Sequence, residues 1–292
     1  MNIIGTGKLG RTLAKLFSDA GLLTIGAIYN RNIQNSESAQ AFIGAGHVTA
    51  HFKQLSNTPA DLWMIATPDD ALSTCAKQLA ELTHLSWQNT LVFHSSGLKT
   101  STELAPLHKL GSAIASAHPA HSFASPERSL RSFCSTVCTL EGDDRAINTL
   151  APLFNALGCK VTTLQPETKP LYHAATVMAS NYLIALMAAS ETLLKKAGIE
   201  DNLASDILEP LMRQSLENGL QVGPVDALTG PIARGDITTL QAHITAIEAM
   251  APDLLSSYTS MGMQTLKLAQ KKDSLAPEKL APIAKILSKQ PI

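Results

Sequence analysis

The first half of the chain alternates short apolar runs with amphipathic stretches. Runs at Met1–Ile4, Leu23–Tyr29, Gly46–Ala50, Leu62–Ala66, Thr90–Phe93, Ser112–Ala117, Ser135–Leu140 and Lys160–Leu164 predict strands. Helical spacing of apolar positions predicts helices at Arg11–Ala20, Ser36–Ile43, Asp70–Leu82, Ser101–Leu110 and Asp144–Leu157. Strands alternating with helices imply an α/β architecture with a doubly wound, largely parallel sheet. After Pro166 no strand pattern recurs, and the rest reads as helices broken by Gly and Pro. The expected division is therefore 1–165 for the sheet domain and 166–292 for an all-α domain.

The second half opens with one long apolar segment. Thr168 is a candidate N-cap, Pro170 suits a first turn, and Gly198 supplies a stop beyond Lys195-Lys196. The helix so defined has about 28 residues and a length of roughly 40 Å. It is apolar nearly all round, which predicts burial on most sides. Its core approaches membrane-span length, but His173, Thr176, Ser180 and Asn181 interrupt it. A buried helix of a soluble protein, with no membrane partner, is the expectation.

Gly5-Thr6-Gly7-Lys8-Leu9-Gly10 falls between the first strand and the first helix. In that context G-x-G-x-x-G is a dinucleotide cradle. Gly5 permits the tight turn, Gly7 lets backbone approach a pyrophosphate, and Gly10 allows close helix–strand packing. The helix N-terminus offers unpaired N–H groups to the phosphates. An NAD site carries a carboxylate about 20 residues beyond the loop. Here that place falls at Asn30, followed by Arg31. A neutral residue and a guanidinium suit a 2′-phosphate, so the expected cofactor is NADP. Thr67 and Pro68, at the end of a later strand, would edge it.

Composition narrows the rest. A formal net charge of −1 argues against nucleic acid or an anionic surface as partner. No charged n-region and apolar h-region precede the glycine loop, so a cytoplasmic setting is expected. Cys75, Cys134, Cys138 and Cys159 form no CxxC pair. Cys134 and Cys138 are expected on one strand, facing one side, as packing residues. His118 and His121 are too sparse a pair for a metal centre, so none is expected.

Candidate chemistry gathers at strand ends and on the long helix. His94-Ser95-Ser96-Gly97 follows one strand and His118-Pro119 another. Ser95, Ser96 and His118 would face a nicotinamide or substrate, whereas His94 reads as a satisfied turn histidine. His173, Val177, Ser180 and Asn181 share one helical stripe. His173 suits a general acid beside a carbonyl undergoing reduction, and Asn181 could hold the substrate. Lys169 is a rival donor, expected to be solvent-exposed at the start of the helix. Arg234 could clamp a carboxylate, and Asp236 reads as an N-cap or substrate contact.

These segments resemble a family of NADP-linked oxidoreductases that join a Rossmann-like domain to an all-helical domain like that of 6-phosphogluconate dehydrogenase. The resemblance rests on Gly5–Gly10, His94–Gly97, His118-Pro119, Tyr172-His173-Ala174-Ala175, Ser180-Asn181 and Leu228–Asp236. It covers residues 1 to 250, and its wider circle includes ketopantoate reductase, pyrroline-5-carboxylate reductase and the β-hydroxyacid dehydrogenases. It implies a homodimer built through the helical half. In ketopantoate reductase a lysine on the corresponding helix is the acid, with an asparagine two turns later; His173 and Asn181 take those places here. The resemblance thus implies an NADPH-dependent reductase of a small 2-oxo acid, with ketopantoate first. A β-hydroxyacid dehydrogenase, an imine reductase and a non-catalytic NADP(H) sensor are the alternatives.

Overall fold

A computed structural model describes residues 1–272 and 275–288. The chain divides into two compact units, Met1–Ser180 and Asn181–Ile292. That division passes through the long helix, while the secondary structure changes from strands to helices near Gln165-Pro166.

In the first unit β1 (Asn2–Ile4), β2 (Ala27–Tyr29), β3 (His47–Val48), β4 (Leu62–Ile65), β5 (Leu91–His94), β6 (Ala113–Pro119), β7 (Val137–Gly142) and β8 (Lys160–Thr163) form one sheet. Its order is β3-β2-β1-β4-β5-β6-β7-β8. Every pairing is parallel except β6 with β7. The helices are α1 (Lys8–Asp19), α2 (Ile33–Ile43), α3 (Asp69–Ala80), α4 (Ala105–His108), α5 (Pro126–Ser132) and α6 (Asp144–Ala156). The expected Ser101–Leu110 helix is instead a 3₁₀ turn, Ser101–Leu104, running into α4. Pro106 lies at the start of α4, where its missing N–H is tolerated.

Side chains alternate between two cores, as strand geometry requires. Ile28, Ile3, Met64, Phe93 and Ala115 run across one face in register. Trp63, Val92 and Ile114 fill the other. Both faces are covered, which is why β4 and β5 read as unbroken apolar runs. The next row, Ile4–Ile65–His94–Ser116–Glu141, turns polar from β5 onward. Cys138 lies on β7 and is buried, but Cys134 precedes the strand and is exposed. The expected shared face does not form, because Ser135, at φ 69°, turns the chain between them.

The long helix α7 is Lys169–Lys196, 28 residues as expected. Thr168 does not cap it: its hydroxyl donates to Gln165 O in the preceding 3₁₀ turn. The expected burial also fails. Lys169 alone of its described residues is buried, and Leu171, Met178, Tyr182 and Ile184 are 60% exposed or more. By length and composition, Pro166–Lys196 is apolar enough to cross a membrane. The second unit continues with α8 (Asp201–Val222), α9 (Pro231–Arg234), α10 (Ile237–Met250), α11 (Leu255–Lys271) and α12 (Pro277–Leu287). Its core packs Ile232, Leu240, Leu266 and Ile283 together.

Candidate active site

Gly5 sits at φ 85°, and a Cβ there would meet Ala66 O at 2.6 Å. Gly10 presses against Gly5 O, which a Cβ would approach to 2.5 Å. Gly7 is the N-cap of α1, and nothing lies within 4 Å of the point its Cβ would occupy. Two glycines therefore close the corner and the third leaves open space before a helix N-terminus, which a pyrophosphate fits. Because α1 begins at Lys8, the Lys8, Leu9 and Gly10 positions form its first turn.

The loop floors a cleft of about 1090 Å³. Thr6, Asn30, Arg31, Thr67 and Pro68 all line it. Asn30 ties the end of β2 to the loop: Oδ1 accepts from Thr6 N at 3.1 Å, and Nδ2 donates to the Thr6 hydroxyl. Arg31 is exposed at the rim. Thr67 Oγ1 is buried without a partner, a polar group that a ligand would satisfy. Arg11, which sequence reasoning passed over, also lines the cleft and donates from Nε to Thr6 O at 3.1 Å. Its signal was its place directly after the glycine motif.

Beyond the cleft lies a polar cluster. Pro68 edges the cleft, and the next residue, Asp69, accepts from Ser96 Oγ at 2.8 Å. The same Ser96 oxygen accepts from Leu98 N and Lys99 N, so this side chain shapes its turn. Ser95 Oγ is buried and unpartnered. His94 is the last residue of β5, not a loop residue. Its Nδ1 accepts from Ser96 N at 3.2 Å, so Nε2 donates to Thr100 O at 3.0 Å. Burial holds its pKa down to about 4, the Thr100 carbonyl opposing and the Lys169 charge adding. It is the satisfied histidine expected.

His118 likewise lies within β6, not after it. Its Nδ1 shares a hydrogen bond of 2.8 Å with Tyr172 OH. Burial first, then His173 and Lys169, keep its pKa near 4, so it is neutral at neutral pH. Burial raises the Tyr172 pKa, partly offset by the Thr139 hydroxyl. The His118 and His173 rings stand edge to face, 6.1 Å apart. Both lie against Gly97, where a Cβ would come within 2.6 Å of His173 Nδ1 and 2.9 Å of His118 Nε2. His173 Nδ1 is buried with no partner.

Lys169 corrects its expectation: it is 2% exposed, not solvated. Its side chain reaches from the start of α7 to β6 and the turn after β5. Nζ donates to Ser116 Oγ at 2.5 Å and to Ser96 O at 3.3 Å, with Glu141 Oε2 at 3.8 Å. Burial lowers its pKa, against the raising effect of Glu141 and Asp69. Neither Ser116 nor Glu141 was legible as a site residue, because each is one polar position inside an apolar strand.

The first unit thus brings together Ser95, Ser96, His118, Lys169 and His173. Asn181, Arg234 and Asp236 belong to the second unit. There Asp236 caps α10, accepting from Thr239 N at 3.0 Å and Thr239 Oγ1 at 2.7 Å. Arg234 is exposed at the end of α9. Lys272 holds the glycine-rich loop before it through Asp226 O and Leu228 O.

Comparisons with known proteins agree with this architecture. The model of a Rossmann-like domain matches residues 1–119. A domain of unknown function (DUF2520) matches residues 136–265. No curated protein matches the chain. Among solved structures, protein TM1727 from Thermotoga maritima is 24% identical, covering 97% of this chain and 98% of its own, with a TM-score of 0.64. An imine reductase from Streptomyces aurantiacus is 15% identical over 99% of both chains, with a TM-score of 0.62. A reductive aminase from Aspergillus terreus, solved with NADPH and ethyl-5-oxohexanoate, is 14% identical over 98% of this chain and 91% of its own, with a TM-score of 0.59. At these identities the likeness is one of fold. The chain thus matches the Rossmann-like model in its first part and DUF2520 in its second, a two-part arrangement like that which its resemblance to NADP-linked oxidoreductases implied.

Proposed function

We propose that the protein is an NADP(H)-dependent reductase of a C=O or C=N bond in a small molecule. The observation that carries this is the Thr67–Asp69 turn. It edges the glycine-loop cleft at Pro68, and its Asp69 accepts from Ser96, the residue before Gly97, against which His118 and His173 lie, so a nicotinamide seated in the cleft would be set toward those imidazoles. The open space at Gly7 and the unpartnered Thr67 hydroxyl fit a dinucleotide, and Arg31 suits a 2′-phosphate. NADPH bound there would supply hydride. His173 would give the proton that the reduced oxygen or nitrogen needs, with Ser95, Ser96 and His118 lining the substrate position. Asn181, Arg234 and Asp236 remain proposed substrate contacts, and residue 165 the proposed domain boundary.

A small 2-oxo acid, with ketopantoate first, is the proposed substrate; imines and β-hydroxyacids are the rival classes. The deciding experiment is NADPH oxidation against 2-oxo acids and cyclic imines, with NADH in parallel. Saturable turnover of ketopantoate with NADPH supports the first choice. Turnover of imines alone replaces it. Tight NADPH binding without any turnover would favour the sensor reading. We read α7 as a dimer helix in a cytoplasmic protein, not as a membrane span, since His173 and Asn181 interrupt its apolar surface. Burying Leu171, Met178 and Tyr182 against a second copy would remove that surface from water. Sedimentation of a monomer would refute this.

A further inference from the structure

Among the described residues, Lys169 and Glu141 are the fully buried members of the Lys, Arg, Asp and Glu set, at 2% and 3% exposure. Burying two charges is unfavourable unless each finds partners, and an apolar pair is often as stable. Their partners show what the pair does. Both Glu141 oxygens are held by Ser101, Oε2 accepting from its N–H at 2.8 Å and Oε1 from its hydroxyl at 2.6 Å. At 3.8 Å from Nζ the carboxylate supplies counter-charge more than contact. The ammonium donates to Ser116 Oγ and Ser96 O, and Ser116 Oγ also donates to Ser96 O at 3.1 Å. Two donors thus converge on one carbonyl. The peptide that follows it leads to Gly97, against which His173 Nδ1 and His118 Nε2 lie. Lys169 and His173 are one turn apart on α7, so the pin and the imidazole share one rigid segment.

We propose that Glu141 and Lys169 form a positioning pair: the ammonium, kept charged by Glu141, pins the Ser96 carbonyl and so fixes the Ser95–Gly97 turn against His173. Lys169 is then not the proton donor. The charged or titratable groups facing Nζ are Glu141 on β7, Asp69 at the start of α3, His94 on β5 and His118 on β6. Tyr172 and His173 neighbour it on its own helix. The kinetic part of this inference rests on the reductase reading; the spectroscopic part does not.

Glu141→Gln is the informative variant. The amide can accept from Ser101 N–H and donate to Ser101 Oγ, so it keeps both contacts and removes only the charge. Lys169 should then lose its proton at lower pH, and the alkaline limb of kcat should move down by about one pH unit or more. Lys169→Met should lower kcat by roughly 10- to 100-fold through misplacement, less than His173→Ala does. The double variant should be no worse than Lys169→Met. Independently, nitrogen NMR of the histidines in the full chain should show the His118 pKa rising from about 4 in Lys169→Met, since that charge helps hold it down. An unmoved alkaline limb in Glu141→Gln, or a Lys169→Met loss larger than that of His173→Ala, would overturn the proposal. So would an unmoved His118 titration. Failure of the wild type to turn over any carbonyl or imine would sink the reductase reading and leave the NMR test to decide the pair.

Discussion

Gly5→Ala and Gly7→Ala place the same methyl group two residues apart and should fail in different ways. At Gly5 the backbone stands at φ 85°, where an L-residue loses about 1–2 kcal/mol. The new Cβ would also meet Ala66 O at 2.6 Å, Ala66 C at 2.8 Å and Thr67 N at 2.9 Å. All three are backbone atoms of the strand β4 exit, so relief requires moving the sheet edge, at roughly 1–3 kcal/mol. The combined loss is about 2–5 kcal/mol, a large share of ordinary stability. It should lower Tm by roughly 5–15 °C. At Gly7 φ is −60° and the Cβ point is open. Alanine there should change stability by less than about 1 kcal/mol. It should weaken NADPH binding at least tenfold, which is about 1.4 kcal/mol, because the methyl stands where a pyrophosphate must approach. Thermal unfolding by circular dichroism and NADPH titration by fluorescence measure the two losses on the same samples. If Gly7→Ala binds NADPH as wild type does, or loses as much Tm as Gly5→Ala, the assignment of roles within the loop is wrong.

Other perturbations separate cofactor choice, proton transfer and protonation. Arg31→Ala should raise the NADPH Kd by about 10- to 100-fold and leave the NADH Kd unchanged by calorimetry. His173→Ala should cut kcat by about 10²–10⁴ with NADPH affinity intact; equal turnover in steady-state assays would remove His173 from the mechanism. His94 titrates near 4 in the fold against an ordinary value of 6.5, so the unfolded chain binds more protons between those values. Its contribution to stability is therefore complete above pH 6.5 and lost as pH falls toward 4. Tm measured from pH 7 to 4 should drop through that window, and less steeply in His94→Gln.

Most regular elements were legible because local patterns carry them, but α5 was not among the predicted helices. Apolar runs located all eight strands of the sheet, and the apolar run that Gly198 stops matched the 28 residues of α7, although Thr168 does not cap it. The glycine loop was legible for the same reason: three glycines at fixed spacing encode a corner whose contacts, to Ala66 and to each other, are short in range. The polar site was only half legible. His118, Ser96 and His173 stood out as polar residues at strand ends or on an apolar helix. Glu141, Ser116 and Ser101 did not, since a polar residue inside a strand, just past a predicted strand or at a helix start looks the same whether it faces water or a buried lysine.

What the sequence determined by itself was the alternation of elements and the dinucleotide corner, both set by interactions within a few residues. Tertiary structure decided the rest. Sheet order put His94, Ser116 and Glu141 in one register row, though they are far apart in the chain. Lys169, at the start of α7, reaches that row, against the expectation of exposure. Periodicity marked α7 as apolar, but it could not say whether that surface meets the same chain or a second molecule. Burial and pairing depend on which distant segments meet, and hydrophobic pattern constrains only how much surface must be covered, not what covers it.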